Sequence, residues 1–248
     1  MNASRSAALV SGLSKLDREI GSFRESRGIL FDFGGTLDSD GEHWLDRFFL
    51  LYKRCGLDIP PPEIKRVFYR ADALCCSDPR VTSMGLRALM AHHVRLQFHG
   101  LNLEDDAREK ELVEAFCVKS ERHLRRNAGL LSGLTGSYRL GLVSNFYGNV
   151  AVLCEEAGLA HSLNVILDST RVGIGKPNPE IFQLALANLE LAATQVIFVG
   201  DSFERDMIPA RELGMRTIWL KGPNPRVPPN AGPVDACISS LTELDALV

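Results

Sequence analysis

The chain has 248 residues, 45% of them hydrophobic and 24% charged, enough for one substantial domain or for a core domain with a smaller insert. Its formal net charge of -3 and isoelectric point near 6.1 lack the basic excess of a nucleic-acid binder. No apolar run approaches the ~18 residues that span a membrane, and six scattered cysteines without a CxxC pair or signal peptide point to ordinary thiols in a reducing cytoplasm.

Residues 1–27 read as a helical extension, with Leu9, Leu13, Leu16, Ile20 and Phe23 on one apolar stripe. The stripe is too short for a coiled coil. It reads as a helix docked on its own domain, with a dimer or partner contact as the other reading, so both monomer and homodimer are expected states. Ile29 to Phe33 then read as a short buried strand, with Asp32 at its end, that runs into Gly34-Gly35-Thr36, a turn whose backbone can approach an anion closely.

From about residue 44 to 127 the apolar residues recur at helical spacing. Breaks fall at IPPPE, SDPRV and GLNLEDD, and no strand-like alternation intervenes. This predicts an all-helical insert of four helices. Its aromatic residues Trp44, Phe48, Phe49, Tyr52, Phe68 and Tyr69 fit a helical core better than a pocket lining.

After the insert, LGLVSN, LNVILDS, QVIFVGD and RTIWL alternate with helical stretches, which predicts a parallel sheet covered by helices on both faces. GPNPRVPPNAGP reads as a surface loop, and DACISS and LTELDALV as a last strand and helix. The expected fold is therefore α/β, a Rossmann-like core of residues 28–43 and 128–248 with an all-helical cap at 44–127.

Ligands of such sheets bind at the carboxyl ends of the strands. Asp32, Ser144-Asn145 and Asp201, with Asp206 just beyond, fall at strand ends, and Lys176 lies in the loop between the second and third groups. Three carboxylates, a hydroxyl and a lysine on one edge suit phosphoryl transfer. Asp32 and Asp201 can hold a hard Mg²⁺ ion, Asp32 can attack phosphorus, Ser144 and the turn's N–H groups can hold phosphate oxygens, and Lys176 supplies fixed positive charge. Taken singly, each residue has an ordinary alternative as a cap or turn residue. Their joint order is what carries the signal.

Four segments resemble the signature of the haloacid dehalogenase-like hydrolase superfamily: FDFGGTLD, LVSN, KPNPEIF and VGDSFERDMIPARELGM. The resemblance covers nearly the whole chain from Gly28 onward. It implies Asp32 as nucleophile with Ser144 and Lys176 as its catalytic partners, Gly35, Thr36 and Asn145 at the substrate, and Asp32, Asp201, Asp206 and the Gly34 carbonyl around Mg²⁺. The insert corresponds to the family's first type of cap, and a small phosphorylated molecule is the expected substrate.

One position departs from the pattern. The family's phosphatases carry a second aspartate two residues after the nucleophile, as general acid and base. Here that position is Gly34. Four explanations are open: an acid from elsewhere (Asp38, Asp40, Glu42, His43, water or a cap residue); a substrate with a good leaving group; dehalogenase- or phosphonatase-like chemistry, the latter needing a cap lysine such as Lys53 or Lys65; or a phospho-ligand binder without turnover. Asp38 to His43 each also read as polar residues of an exposed flap.

Overall fold

The computed structural model describes Phe23, residues 25–229 and 231–248. The N-terminal apolar stripe lies outside the described residues except for Phe23, which is buried in the core.

Six parallel strands form one sheet in the order β3-β2-β1-β4-β5-β6. They are β1 (Gly28–Phe31), β2 (Arg139–Ser144), β3 (Val165–Asp168), β4 (Val196–Gly200), β5 (Arg216–Leu220) and β6 (Ala236–Ile238). The chain moves outward from β1 through β2 to β3, then returns to the other side of β1 with β4. The crevice at the ends of β1 and β4 is thus the topological switch point, where such sheets bind ligands. Ile29 and Phe31 pack into one hydrophobic cluster and Leu30 into another, as the period of two requires of a strand covered on both faces.

Four helices fill the segment between β1 and β2: α1 (Trp44–Arg54), α2 (Pro61–Ser77), α3 (Leu86–Gly100) and α4 (Asp106–Leu134). Each buries one stripe. On α1 the stripe is Trp44, Leu45, Phe48, Leu51 and Tyr52; α2 opens on Pro61-Pro62, which suits a first turn, and buries Ile64, Val67, Phe68, Ala71 and Cys75. The last helix is unbroken through residue 127, and its final turns bury Leu131 and Leu134 in the cluster that also holds Ile29 and Phe31. The inserted helices and the sheet therefore share one hydrophobic cluster. Beyond β2 follow α5 (Val150–Glu156), the single turn α6 (Ser169–Val172), α7 (Pro179–Leu189) and α8 (Ile208–Glu212). The C-terminal stretch forms a 3₁₀ helix, Leu241–Ala246, capped by Ser240. None of the described helices is long and apolar enough to cross a membrane.

The turn after Asp32 is fixed by Asp38. Its Oδ1 accepts from the Gly35 N–H at 2.7 Å, and its Oδ2 accepts from Trp44 Nε1 at 2.7 Å and Arg47 Nη1 at 2.8 Å. Arg47 in turn donates to the Phe116 carbonyl and Ser120 Oγ on α4, and stacks 3.6 Å from the Phe116 ring centroid. Both members of the pair are buried, with side chains 2% and 0% exposed. The segment expected as an exposed flap is thus largely interior: Asp38 and Ser39 are fully buried, because the inserted helices pack over them.

The adjacent glycines differ in need. Gly35 has φ +89°, and a Cβ there would come within 2.5 Å of Asp201 Oδ2. Gly34 has φ -73° and ψ 117°, open to any residue, and a Cβ would lie 3.7 Å from Trp44 Nε1 in ordinary contact.

Two stability outcomes are expected. Arg47→Met strips a buried carboxylate of its counter-ion, and urea unfolding should show a loss of about 3–5 kcal/mol; a loss under ~1 kcal/mol would mean that Asp38 does not depend on it. Gly34→Ala should unfold within ~0.5 kcal/mol of the parent, whereas Gly35→Ala should lose more than ~1 kcal/mol in the same titration.

Candidate functional site

Asp32 leaves β1 in extended conformation, held by its N–H on the Val199 carbonyl at 3.0 Å. Its Oδ1 accepts from Ser144 Oγ at 2.9 Å and lies 2.8 Å from Lys176 Nζ. Ser144 is the last residue of β2, in parallel register beside β1, so sheet pairing alone brings it to Asp32. Lys176 reaches the same atom from the loop before α7, which Asn145 clamps. Asn145 Oδ1 accepts from the Lys176 N–H at 2.7 Å, and its Nδ2 donates to the Lys176 carbonyl at 2.8 Å.

Asp206 and Asp201 complete the cluster from the other side. Asp206 is fully buried, with Oδ1 2.6 Å from Lys176 Nζ and Oδ2 accepting from the Ser202 N–H at 3.0 Å. Asp201 has a weaker anchor, a 3.5 Å contact from Thr36 Oγ1. One carboxylate oxygen from each of Asp32, Asp201 and Asp206 lies within 4.8 Å of the others.

The charges explain the titration directions. Loss of water, then the Asp32 and Asp206 charges, push Asp201 well above the usual carboxylate range. Burial likewise raises Asp206, against the pull of Lys176. Burial alone would pull Lys176 down, but Asp206 and Asp32 outweigh it and hold it above its ordinary value. Three carboxylates against one ammonium leave an excess of negative charge, with Asp201 short of donors. That set of oxygen atoms fits a hard divalent cation such as Mg²⁺.

These side chains form the floor of a cavity of about 110 Å³, with Gly34 and Asn145 also at its wall. Its roof comes from the inserted helices α1 and α2: Trp44, Phe68, Tyr69 and Asp72. Of the cap aromatics, Trp44, Phe68 and Tyr69 thus face the site, while Phe48 and Tyr52 are fully buried core. Phe146 and Tyr147, just after the Ser144-Asn145 strand end, fill the side next to Trp44.

The four polar residues beyond the glycine turn are placed differently from one another. Asp38 is spent on Gly35, Trp44 and Arg47. Asp40 holds Arg126 through two bonds of 2.9 and 2.7 Å, and Glu42 pairs with Lys119. Only His43 reaches the cavity. Its Nδ1 accepts from the Leu45 N–H at 3.2 Å as the cap of α1, and burial, then the Arg205 and Arg226 charges, push the ring down to about 4. Lys53 and Lys65 are exposed and outside the cavity.

Sequence reasoning missed Asp72, Phe146, Tyr147 and Arg205 as cavity residues. Asp72 carries no motif of its own. A signal did exist on α3, where His93 and Gln97, four residues apart, interrupt an apolar stripe; both are fully buried and point back to Asp72 through hydrogen bonds.

The family model of haloacid dehalogenase-like hydrolases matches residues 27–214. Phosphoserine phosphatase of Thermus thermophilus is 34% identical over 145 residues, 55% of this chain and 56% of that protein. The chain thus spans about half the length of the first curated relatives it matches. (S)-2-haloacid dehalogenase 2 of a Pseudomonas species is 26% identical over 238 residues, 91% of this chain and 96% of that enzyme. The crystal structure of a dehalogenase with intermediate complex superposes with a TM-score of 0.62 at 18% identity, covering 90% of this chain and 97% of that one, a likeness of fold. With the sheet order, the inserted helices and the family match across most of its length in agreement, the chain belongs to the haloacid dehalogenase-like hydrolases.

Proposed function

We propose that this hydrolase is a Mg²⁺-dependent phosphatase that releases phosphate from a small phosphorylated metabolite through an aspartyl-phosphate on Asp32. The observation that carries this reading is the carboxylate triangle beside the nucleophile. Asp201 is poor in donors and raised in pKa by burial and then by the charges of its neighbours, a placement that a divalent cation would relieve.

Asp32, Asp201, Asp206 and the Gly34 carbonyl would hold the ion, which supplies charge to balance the phosphate. The chain's own groups do the rest. Lys176 and Ser144 both bind Asp32 Oδ1, which orients the carboxylate and leaves Oδ2 as the attacking atom. Lys176 keeps its proton through Asp206 and Asp32, so its positive charge is fixed where negative charge develops. A cavity of about 110 Å³ lies below the roughly 300–1,000 Å³ of ordinary ligand sites, which supports a small substrate.

A second reading has its own observation. The space over Gly34 is walled by the Trp44 and Phe146 rings, an apolar surface that suits a leaving group needing no proton, such as halide. The Pseudomonas dehalogenase, similar over nearly its whole length, agrees with that wall.

A panel of phosphorylated metabolites and 2-haloacids, each with Mg²⁺ and with chelator, separates the readings. Phosphate release that needs the metal and disappears in Asp32→Asn is the expected result. Halide release insensitive to chelator would replace it with the dehalogenase reading. Ligand binding without turnover would make the chain a phospho-ligand binder. Asp201→Asn should also weaken Mg²⁺ binding in calorimetry by at least about tenfold, since it removes one of the ion's charged oxygen ligands.

A further inference from the structure

A phosphatase with glycine at position 34 still has to protonate its leaving group, a step that contributes about 10²–10⁴-fold for an ordinary alcohol. The nearby acids of the chain are excluded one by one. Asp38 is buried under Gly35, Trp44 and Arg47, Asp40 is held by Arg126, and Glu42 is paired with Lys119. His43 is neutral near pH 7, and a neutral imidazole is too weak an acid for the task. Asp32, Asp201 and Asp206 are the nucleophile and the oxygen triangle.

One cavity carboxylate is left among the described residues, Asp72 of α2. It lines the same cavity as Asp32, Ser144 and Asp201, and its charge and that of Asp32 are both felt by the His43 ring. Its side chain keeps 26% of its surface exposed. A chain of buried polar groups holds it from behind. Tyr52 Oη donates to Gln97 Oε1 at 3.2 Å, which turns the Gln97 amide nitrogen toward His93 Nδ1 at 2.8 Å. His93 therefore carries its proton on Nε2, 3.0 Å from Asp72 Oδ1. Tyr147, beside the Ser144 strand end, donates to the same oxygen. Both bonds fall on Oδ1, so Oδ2 takes part in neither. Burying such a network is unfavourable unless every member is satisfied, and this one is satisfied link by link up to Asp72.

We infer that Asp72 is the general acid and base of this enzyme, supplied by the cap in place of the aspartate missing at Gly34. The inference rests on the phosphatase reading. In-line attack by Asp32 Oδ2 on phosphorus puts the leaving oxygen on the far side, toward the cap. As the Asp32 O–P bond forms and the P–O bond to the alcohol breaks, the Asp72 carboxyl gives its proton to that oxygen. The Asp72 carboxylate then takes a proton from water as the water oxygen bonds phosphorus and the Asp32 O–P bond breaks, which releases inorganic phosphate and restores both aspartates. Tyr147 and His93 are positioning residues that orient Asp72.

The test is a leaving-group series, from a nitrophenyl phosphate to an alkyl phosphate, with the full-length protein and its Asp72→Asn variant. The parent should show little dependence on leaving-group pKa. The variant should lose ~10²–10⁴-fold in kcat/KM, which reports the steps through departure of the leaving group, on the alkyl ester but under about threefold on the nitrophenyl ester, whose leaving group needs no proton. Its kcat should fall on both esters, because the water step that uses Asp72 as base is common to them. Retained nitrophenyl kcat/KM also reports an intact fold. An equal loss of kcat/KM on both esters, or none on either, would overturn the assignment. Should the variant fail to fold, the parent alone decides: a steep fall in rate with rising leaving-group pKa means that no acid is in place, and Asp72 is not it. These outcomes stay separate from the larger reading, since absence of Asp32-dependent phosphate release rejects the phosphatase itself, whereas Asp32-dependent release with the wrong leaving-group pattern rejects only Asp72.

Discussion

The buried Asp38–Arg47 ion pair is the constraint on which the site depends. Asp38 belongs to the turn that follows the nucleophile, and Arg47 to the first helix of the cap. Through Gly35 the carboxylate sets the turn beside Asp201; through Trp44, Arg47 and Ser120 it binds two cap helices. A charge in this interior is tolerable only when fully paired, and here one partner of Asp38, Trp44, also lines the cavity. The packing of the inserted helices and the shape of the turn are therefore tied through one side chain. Asn127 adds a second tie, from α4 to the Leu37 carbonyl at 2.8 Å.

On the floor the physics is reversed. Asp32, Asp201 and Asp206 crowd three like charges together, and Lys176 offsets only part of the repulsion. This local unfavourable arrangement is held by parallel sheet pairing, which fixes the strand ends whatever their charges prefer. Sites that shift pKa values in this way are characteristic of function rather than stability. The roof contributes aromatic surface and a single carboxylate, so the two halves differ in charge density: a dense anionic floor that wants cations and a sparse, largely apolar roof.

Much of this was legible in the chain. The short apolar runs with helices between them gave the parallel sheet, and the order Asp32, Ser144, Lys176, Asp201, Asp206 marked the strand ends that β1, β2 and β4 bring to one edge. The helical insert was readable from its spacing. Less readable was what the polar residues of the turn do. Asp38 and Ser39 look solvated in sequence, because nothing local reveals that α1 and α4 fold over them. Asn145, expected at the substrate, lines the cavity while its amide clamps the Lys176 backbone, a contact 31 residues away in the chain. Gly34 and Gly35 look alike in sequence, yet only Gly35 has a positive φ.

The sequence by itself determined the strand ends, the residues of the floor and the family pattern, because hydrophobic periodicity and short-range turn chemistry are local. Tertiary structure alone decided which carboxylates are free to act. Asp38, Asp40 and Glu42 are neutralised by Arg47, Arg126 and Lys119, whose positions follow from helix packing. Asp72, forty residues past the nucleophile, faces the cavity because α2 crosses above it and because His93 and Tyr147 converge on one of its oxygens. Those facts depend on how two distant segments pack, and a one-dimensional pattern does not encode the distance between them.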